Sequence, residues 1–276
     1  MSSKIKSLFS QIQNIPQIPE VIKILIEQVN NPDIDLKDIA SNVEKEPLIA
    51  IKVLRVVNSA YFGLPKKIDS INDAVVLLGM YKLRTLVIAS GIVNAIPDIE
   101  NFNIKKFWLN SFRTASYSKC LANMVGLDED IAFTAGLIND LGTVLIYLGQ
   151  PKEAIKIEEL INEGHSRSFV EKMRLGYISQ DVSAELCRLW RFSDELIIPV
   201  LQCESPLVIE PVSKIACVIS IAKYLSYCKE ADIEQDHILE GLSTEVVEAL
   251  QLPEAFFIDK LDEILSLESG LDGMLE

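Results

Sequence analysis

The chain has 276 residues, 49% of them hydrophobic and 7% aromatic, with a formal net charge of −14 and a pI near 4.7. That length and apolar content allow a large core, as one extended domain or two closely packed lobes. The acidity excludes a basic face that could replace phosphate counterions, the short pair Lys66–Lys67 being too small to change this, and an anionic membrane would repel the chain. Neither nucleic acid nor a membrane is therefore expected as a partner.

Helical punctuation runs through the whole sequence. Ile18–Asn30 places Val21, Ile22, Leu25, Ile26 and Val29 at helical spacing after Pro19. Asn31-Pro32-Asp33 breaks the pattern, and Asp35 is a candidate cap for a short helix to about Val43. Glu46-Pro47 opens a helix in which Leu48, Ile51, Leu54 and Val57 form one stripe. It runs into Asn58-Ser59-Ala60-Tyr61-Phe62-Gly63, where Tyr61 and Phe62 are expected to insert into the core and Gly63 to permit a sharp exit. Ser70 with Asp73 starts a helix that Gly79 stops, and Met80–Ile96 is apolar nearly all round, hence central.

Pro97–Asn103 is a polar break and the best internal boundary. Asn103 can cap a helix to about Val125, followed by Asp128–Ile138 and a second helix through Leu148. The pair Asn139–Asp140 sits between these two in apolar surroundings. Pro151–Glu163 is amphipathic, and Ser166–Leu175, Ser179–Trp190 and Ser193–Gln202 each begin with a serine able to cap. After the Pro206–Pro211 loop, Val212–Cys228 reads as a buried helix, and Ile233–Gly241, Ser243–Leu250 and Pro253–Leu267 as amphipathic, acidic ones. No hairpin or repeat signal occurs, so the fold class is all-α.

Five cysteines without any CxxC spacing read as reduced, mostly buried residues of a cytosolic protein. The N-terminus lacks the apolar segment of a signal peptide, and the apolar runs Leu83–Pro97 and Val212–Cys228 are respectively too short and too charged, with Lys214 and Lys223, to span a bilayer. A cytoplasmic location is expected.

Several motifs stand together. They are Ile15-Pro16-Gln17-Ile18-Pro19, Glu46-Pro47, Leu54 through Gly63 with its Asn-Ser-Ala-Tyr-Phe-Gly end, Ile68 to Gly79, Phe107-Trp108, Ala135–Leu148, Glu171, Gly176 and Val182 to Trp190. In these the chain resembles the HDOD family, bacterial output domains related to HD-type metal phosphohydrolases. The resemblance implies a helical HDOD fold, with an N-terminal helical lobe over 1–100 packed on an HD-like helical lobe over 101–276 that carries a helical tail. It also implies a role beside two-component or cyclic-dinucleotide signalling.

A catalytic HD domain holds divalent metal with a histidine–aspartate pair and further histidines. On this resemblance the pair falls on Asn139 and Asp140, the next histidine position on Ser179, and the paired histidines on Cys203 and Glu204. None is histidine. His165 and His237 are the only two in the chain, and both read as solvated surface residues. The expectation is therefore no catalytic residue, no metal and no cofactor. Asp140 is expected to accept hydrogen bonds from backbone amides or a neighbouring side chain, with Arg188, Arg191, Lys106 and Ser179 as candidate partners. Glu171 is expected in a buried hydrogen bond or ion pair, and Trp108 and Trp190 in the core. Three functions follow. The first is a non-catalytic signalling module that binds a protein partner or small effector, with Asn58, Ser59, Tyr61, Phe62, Asn139, Asp140 and Glu171 lining a groove between the lobes. The second is a divergent phosphohydrolase using Asp140 and Glu204 with loosely held Mg²⁺ or Mn²⁺. The third is a homo-oligomeric scaffold.

Overall fold

The computed structural model describes residues 2–27, 36–64, 67–253 and 255–275. Seventeen α-helices, one 3-10 turn and no strand stand among these described residues, which is the all-α class expected. The Asn31-Pro32-Asp33 break, the Asp35 cap, Val29 and Lys66 lie outside them.

The chain divides into two units. The smaller comprises Pro16–Pro97 and Glu268–Glu276, the larger Met1–Ile15 and Asp98–Leu267. A single cut at 100/101 had been expected, and both chain ends cross it. Helix α1 (Ser3–Gln11) belongs to the larger unit because Leu8 is fully buried and α1 packs against α9 (Leu141–Gly149). The 3-10 turn Asp272–Leu275 belongs to the smaller unit because it packs on α4 (Pro47–Val57), where Lys52 Nζ donates to the Met274 carbonyl at 2.8 Å.

The smaller unit holds α2 (Glu20–Glu27), α3 (Leu36–Glu44), α4, α5 (Ile71–Leu78) and α6 (Met80–Ala95). Ser70 caps α5 as expected, its Oγ accepting from the Asp73 N–H at 3.0 Å. The stripe on α4 is corrected. Ile49, Val53, Val56 and Val57 are buried, whereas Leu48 is 62% and Ile51 55% exposed. Helix α4 is apolar on more than one face, so periodicity alone could not choose the inward one.

The larger unit holds α1 and α7 (Ile104–Met124), α8 (Glu129–Ile138), α9, α10 (Pro151–Asn162), α11 (Arg167–Leu175), α12 (Ser179–Leu189), α13 (Asp194–Gln202), α14 (Lys214–Glu230), α15 (Gln235–Glu240), α16 (Thr244–Ala249) and α17 (Phe256–Leu265). Helix α8 packs among α7, α13 and α14, and α9 packs on α12 and α10. Every residue of α8 from Ile131 onward is buried, and each large apolar side chain there contributes about 1.5–3 kcal/mol. The stretch Glu129–Gly149 has the length and hydropathy of a membrane span, yet 89% of that window is buried inside the protein. The acidic tail packs into a core: Phe257, Leu261 and Ile264 of α17 cluster with Tyr117, Leu121 and Leu225. Asn103, Asp128, Ser166, Ser213 and Ser243 cap through their side chains. Two expected serine caps are corrected. Ser193 sits at the N-cap of α13 without a side-chain cap bond, and Ser179 is already helical, its hydroxyl turned to Glu171 at 2.9 Å.

Candidate functional site

The bend between α8 and α9 is built from apolar helix on both sides and two polar residues at the corner. Asn139 is 1% exposed, and its Nδ2 donates to the Gly136 carbonyl at 2.6 Å, closing the end of α8. Its Oδ1 is buried and has no hydrogen-bond partner. Asp140 occupies the N-cap place of α9 but makes no capping bond with its side chain. The acceptor comes instead from another helix, since the Gly142 N–H donates to Ser183 Oγ on α12 at 2.7 Å. Gly142 is required there, because a Cβ would run into the Ser179 carbonyl oxygen.

The Asp140 carboxylate therefore serves long-range partners. Gln180 Nε2 donates to its Oδ1 at 2.6 Å, and Lys223 Nζ stands 3.3 Å from the same oxygen. The same ammonium is 3.2 Å from Glu204 Oε2. None of these donors is a backbone amide, and none is among the partners considered from sequence. Arg188 pairs with Glu185, Lys106 with Glu230, and Ser179 with Glu171. Burial alone would lower the pKa of Lys223. The Asp140 and Glu204 carboxylates outweigh it and hold that pKa above the ordinary lysine value. The cluster is half-open to solvent, with Asp140 34%, Glu204 30% and Lys223 21% exposed at the side chain.

Glu171 lies in the adjoining network. Its Oε2 accepts from the Ser179 N–H at 2.6 Å and from the Ser179 hydroxyl, and Arg167 is 3.6 Å from Oε1. Burial pushes its carboxyl pKa up, and Arg167 with the two Ser179 donors only partly opposes this. The crevice beside it, lined by Thr143, Ile146, Tyr147, Ala154, Ile157, Arg167 and Glu171, is too narrow to admit a water molecule. Cys203 is buried, its Sγ facing the Val200 carbonyl, and burial pushes its thiol up to about 12.

The remaining groove candidates belong to the smaller unit. Asn58 forms a clasp. Its Nδ2 donates to the Leu54 and Ile68 carbonyls at 2.8 and 2.7 Å, and its Oδ1 accepts from the Ile68 N–H at 2.7 Å. Ser59 Oγ is buried without a partner. The expected core insertion of Tyr61 is corrected. It is 53% exposed, its ring lies against Gly270, and it meets Phe62, itself half-buried, edge to face at 5.1 Å. The left-handed φ of 55° at Gly63 makes the exit. His165 and His237 are exposed, and Trp108 and Trp190 are buried.

A divalent metal does not fit the donor set of the larger unit. No group of three or more His, Cys, Asp or Glu side chains converges among the described residues. The carboxylates of Asp140 and Glu204 already face an ammonium, and the Cys203 thiol is protonated. Sequence reasoning missed Lys223 and Gln180. The available signal was Lys223, set well inside the apolar run 212–228, since a lysine there calls for a carboxylate partner.

The HDOD domain family matches residues 15–206, and the chain belongs to that family. A protein from Shewanella amazonensis, named as a supposed phosphohydrolase, is 30% identical and superposes with a TM-score of 0.80 over 97% of this chain and 96% of its own. An HDOD domain protein of unknown function from Geobacter sulfurreducens has a TM-score of 0.82 at 20% identity, over 99% and 97% of the two chains. A Treponema pallidum protein of no characterised function is 26% identical over 194 residues, which span 69% of this chain and 38% of that protein.

Proposed function

We propose that the chain is a non-catalytic output module of signal transduction, working in the cytoplasm by binding a signalling protein or a small effector. The observation that carries this reading is the Asp140–Lys223–Glu204 triad. The carboxylates of Asp140 and Glu204, at one position of the expected histidine–aspartate pair and one of the expected paired histidines, are bridged by the chain's own ammonium. Together with the absence of histidine at Asn139, Ser179, Cys203 and Glu204, this leaves no imidazole to hold a metal or activate a water there. Exposed Leu48, Ile51, Val76 and Leu77 on α4 and α5 supply apolar surface of the kind protein partners cover.

The name of the 30%-identical Shewanella protein favours a second reading, a divergent phosphohydrolase working through Asp140 and Glu204. Metal content and turnover of a phosphodiester panel, with and without added Mn²⁺, separate the two. The non-catalytic reading expects substoichiometric metal and no turnover above that of Asp140→Ala. Stoichiometric metal together with hydrolysis that Asp140→Ala abolishes would overturn it.

A further inference from the structure

Helix α4 has two distinct sides. Ile49, Val53, Val56 and Val57 are buried, and the opposite side presents Leu48, Ile51 and Arg55 to solvent at i, i+3 and i+7, which forms one ridge. The charge around this ridge is unlike that of the rest of the chain. From Pro47 to Ile68 the sequence holds Lys52, Arg55, Lys66 and Lys67 and no carboxylate, although the chain has 40 Asp and Glu. Lys52, four residues after Leu48, borders the ridge half-buried, with one hydrogen bond to the Met274 carbonyl. Among the described residues no carboxylate pairs with Lys52 or Arg55. Burial and the Arg55 guanidinium hold the Lys52 pKa below the ordinary lysine value, as befits two neighbouring cations with no anion between them. We propose that this ridge is the docking site for an acidic amphipathic helix of a signalling protein, whose apolar residues cover Leu48 and Ile51 and whose carboxylates face Arg55 and Lys52. This inference rests on the reading of the chain as a binding module.

The chain's own segment 269–275 shows this chemistry beside the ridge. It lies against the adjoining side of α4, where Gly273 runs past Val56 and the stem of Arg55, and Tyr61 rests on Gly270. Leu271 and Met274, three residues apart, are buried there, and Asp272 stays in solvent. A short acidic segment with apolar residues one turn apart thus already packs on α4, and it leaves Leu48, Ile51 and Arg55 open. A partner helix reads such a stripe with anchors at i, i+3 or i+4. Carboxylates on its flank answer the unpaired cations, whereas a basic helix would add to the repulsion. The chain's net charge of −14 works against an anionic lipid surface as the occupant.

The test places the photo-crosslinker p-benzoylphenylalanine at Ile51 of the full chain in native cells, with Ile258 on α17, also exposed, as the control position. After irradiation the adduct is mapped by mass spectrometry. The expected adduct at Ile51 is a protein segment of net negative charge with apolar residues every three or four positions, and Ile258 is expected not to capture it. Arg55 is exposed, so Arg55→Glu should melt like the parent yet cut the adduct about fivefold, with Arg55→Gln in between. Exchanging a carboxylate of the captured segment for lysine should restore the adduct with Arg55→Glu. An adduct with a basic segment, with lipid or with a second copy of this chain overturns the proposal, and so does a yield indifferent to Arg55→Glu. A partner retained by the full chain in a pull-down, without an adduct at Ile51, overturns the site and leaves the binding reading standing. No partner retained at all sinks that reading, and the site with it.

Discussion

Two asparagine-led corners follow apolar helices in this chain, Asn58 after α4 and Asn139 after α8. Asn58 spends its whole amide within ten residues, on Leu54 and on both backbone groups of Ile68. Asn139 satisfies only its Nδ2, and the neighbouring Asp140 is answered by Gln180 and Lys223, forty and eighty-three positions away. The first corner is a self-contained loop clasp. The second is a junction where helices distant in sequence exchange charge. A clasp of the first kind stabilises and does little else. A junction of the second kind depends on helices that only the tertiary fold brings together.

That contrast can be broken in order of expected size. Gly142→Ala should be the most damaging change, costing about 3 kcal/mol by chemical denaturation, because its Cβ would meet the Ser179 backbone on α12 and not the end of a flexible side chain. Asn58→Ala should cost about 2–3 kcal/mol, since it unmakes three bonds and strands the Ile68 backbone groups. Asp140→Ala should cost about 1 kcal/mol, less than a buried acceptor would, because the carboxylate is 34% exposed and Lys223 keeps Glu204. If Asp140→Ala proves worse than Asn58→Ala, the ranking of clasp over junction is wrong.

Glu171 gives a pH test of the same junction. Its folded pKa is raised, chiefly by burial, so the protonated form is favoured in the native state. Its contribution to stability is therefore fully present below the unfolded value of about 4.3 and is lost as pH rises through the folded one. Glu171→Gln should flatten that part of the stability–pH curve above pH ~4.3. A curve parallel to the parent's would remove Glu171 from the account. Smallest in stability is Leu48→Glu on the exposed face of α4, within ±0.5 kcal/mol, yet on the proposed function it should abolish capture of a signalling protein from native cells. Unchanged capture would move the docking surface elsewhere.

The all-helical class, most helix limits and the caps at Asn103 and Ser70 were legible in the sequence, because each rests on residues within one or two turns of one another. Three things were not. The inward face of α4 depended on which neighbours covered it, and a helix apolar on more than one face carries no record of that. The aromatic ring of Tyr61 suggests core, but its surroundings in the smaller unit leave it half in solvent. The partner of Asp140 was the largest miss. A carboxylate in an apolar frame announces that it needs a counter-charge, but local sequence does not say which of 26 Lys and Arg residues supplies it. Only the packing of α13 and α14 beside the bend decided for Lys223, because charge pairing is a matter of distance in space and the chain between the two groups imposes no period.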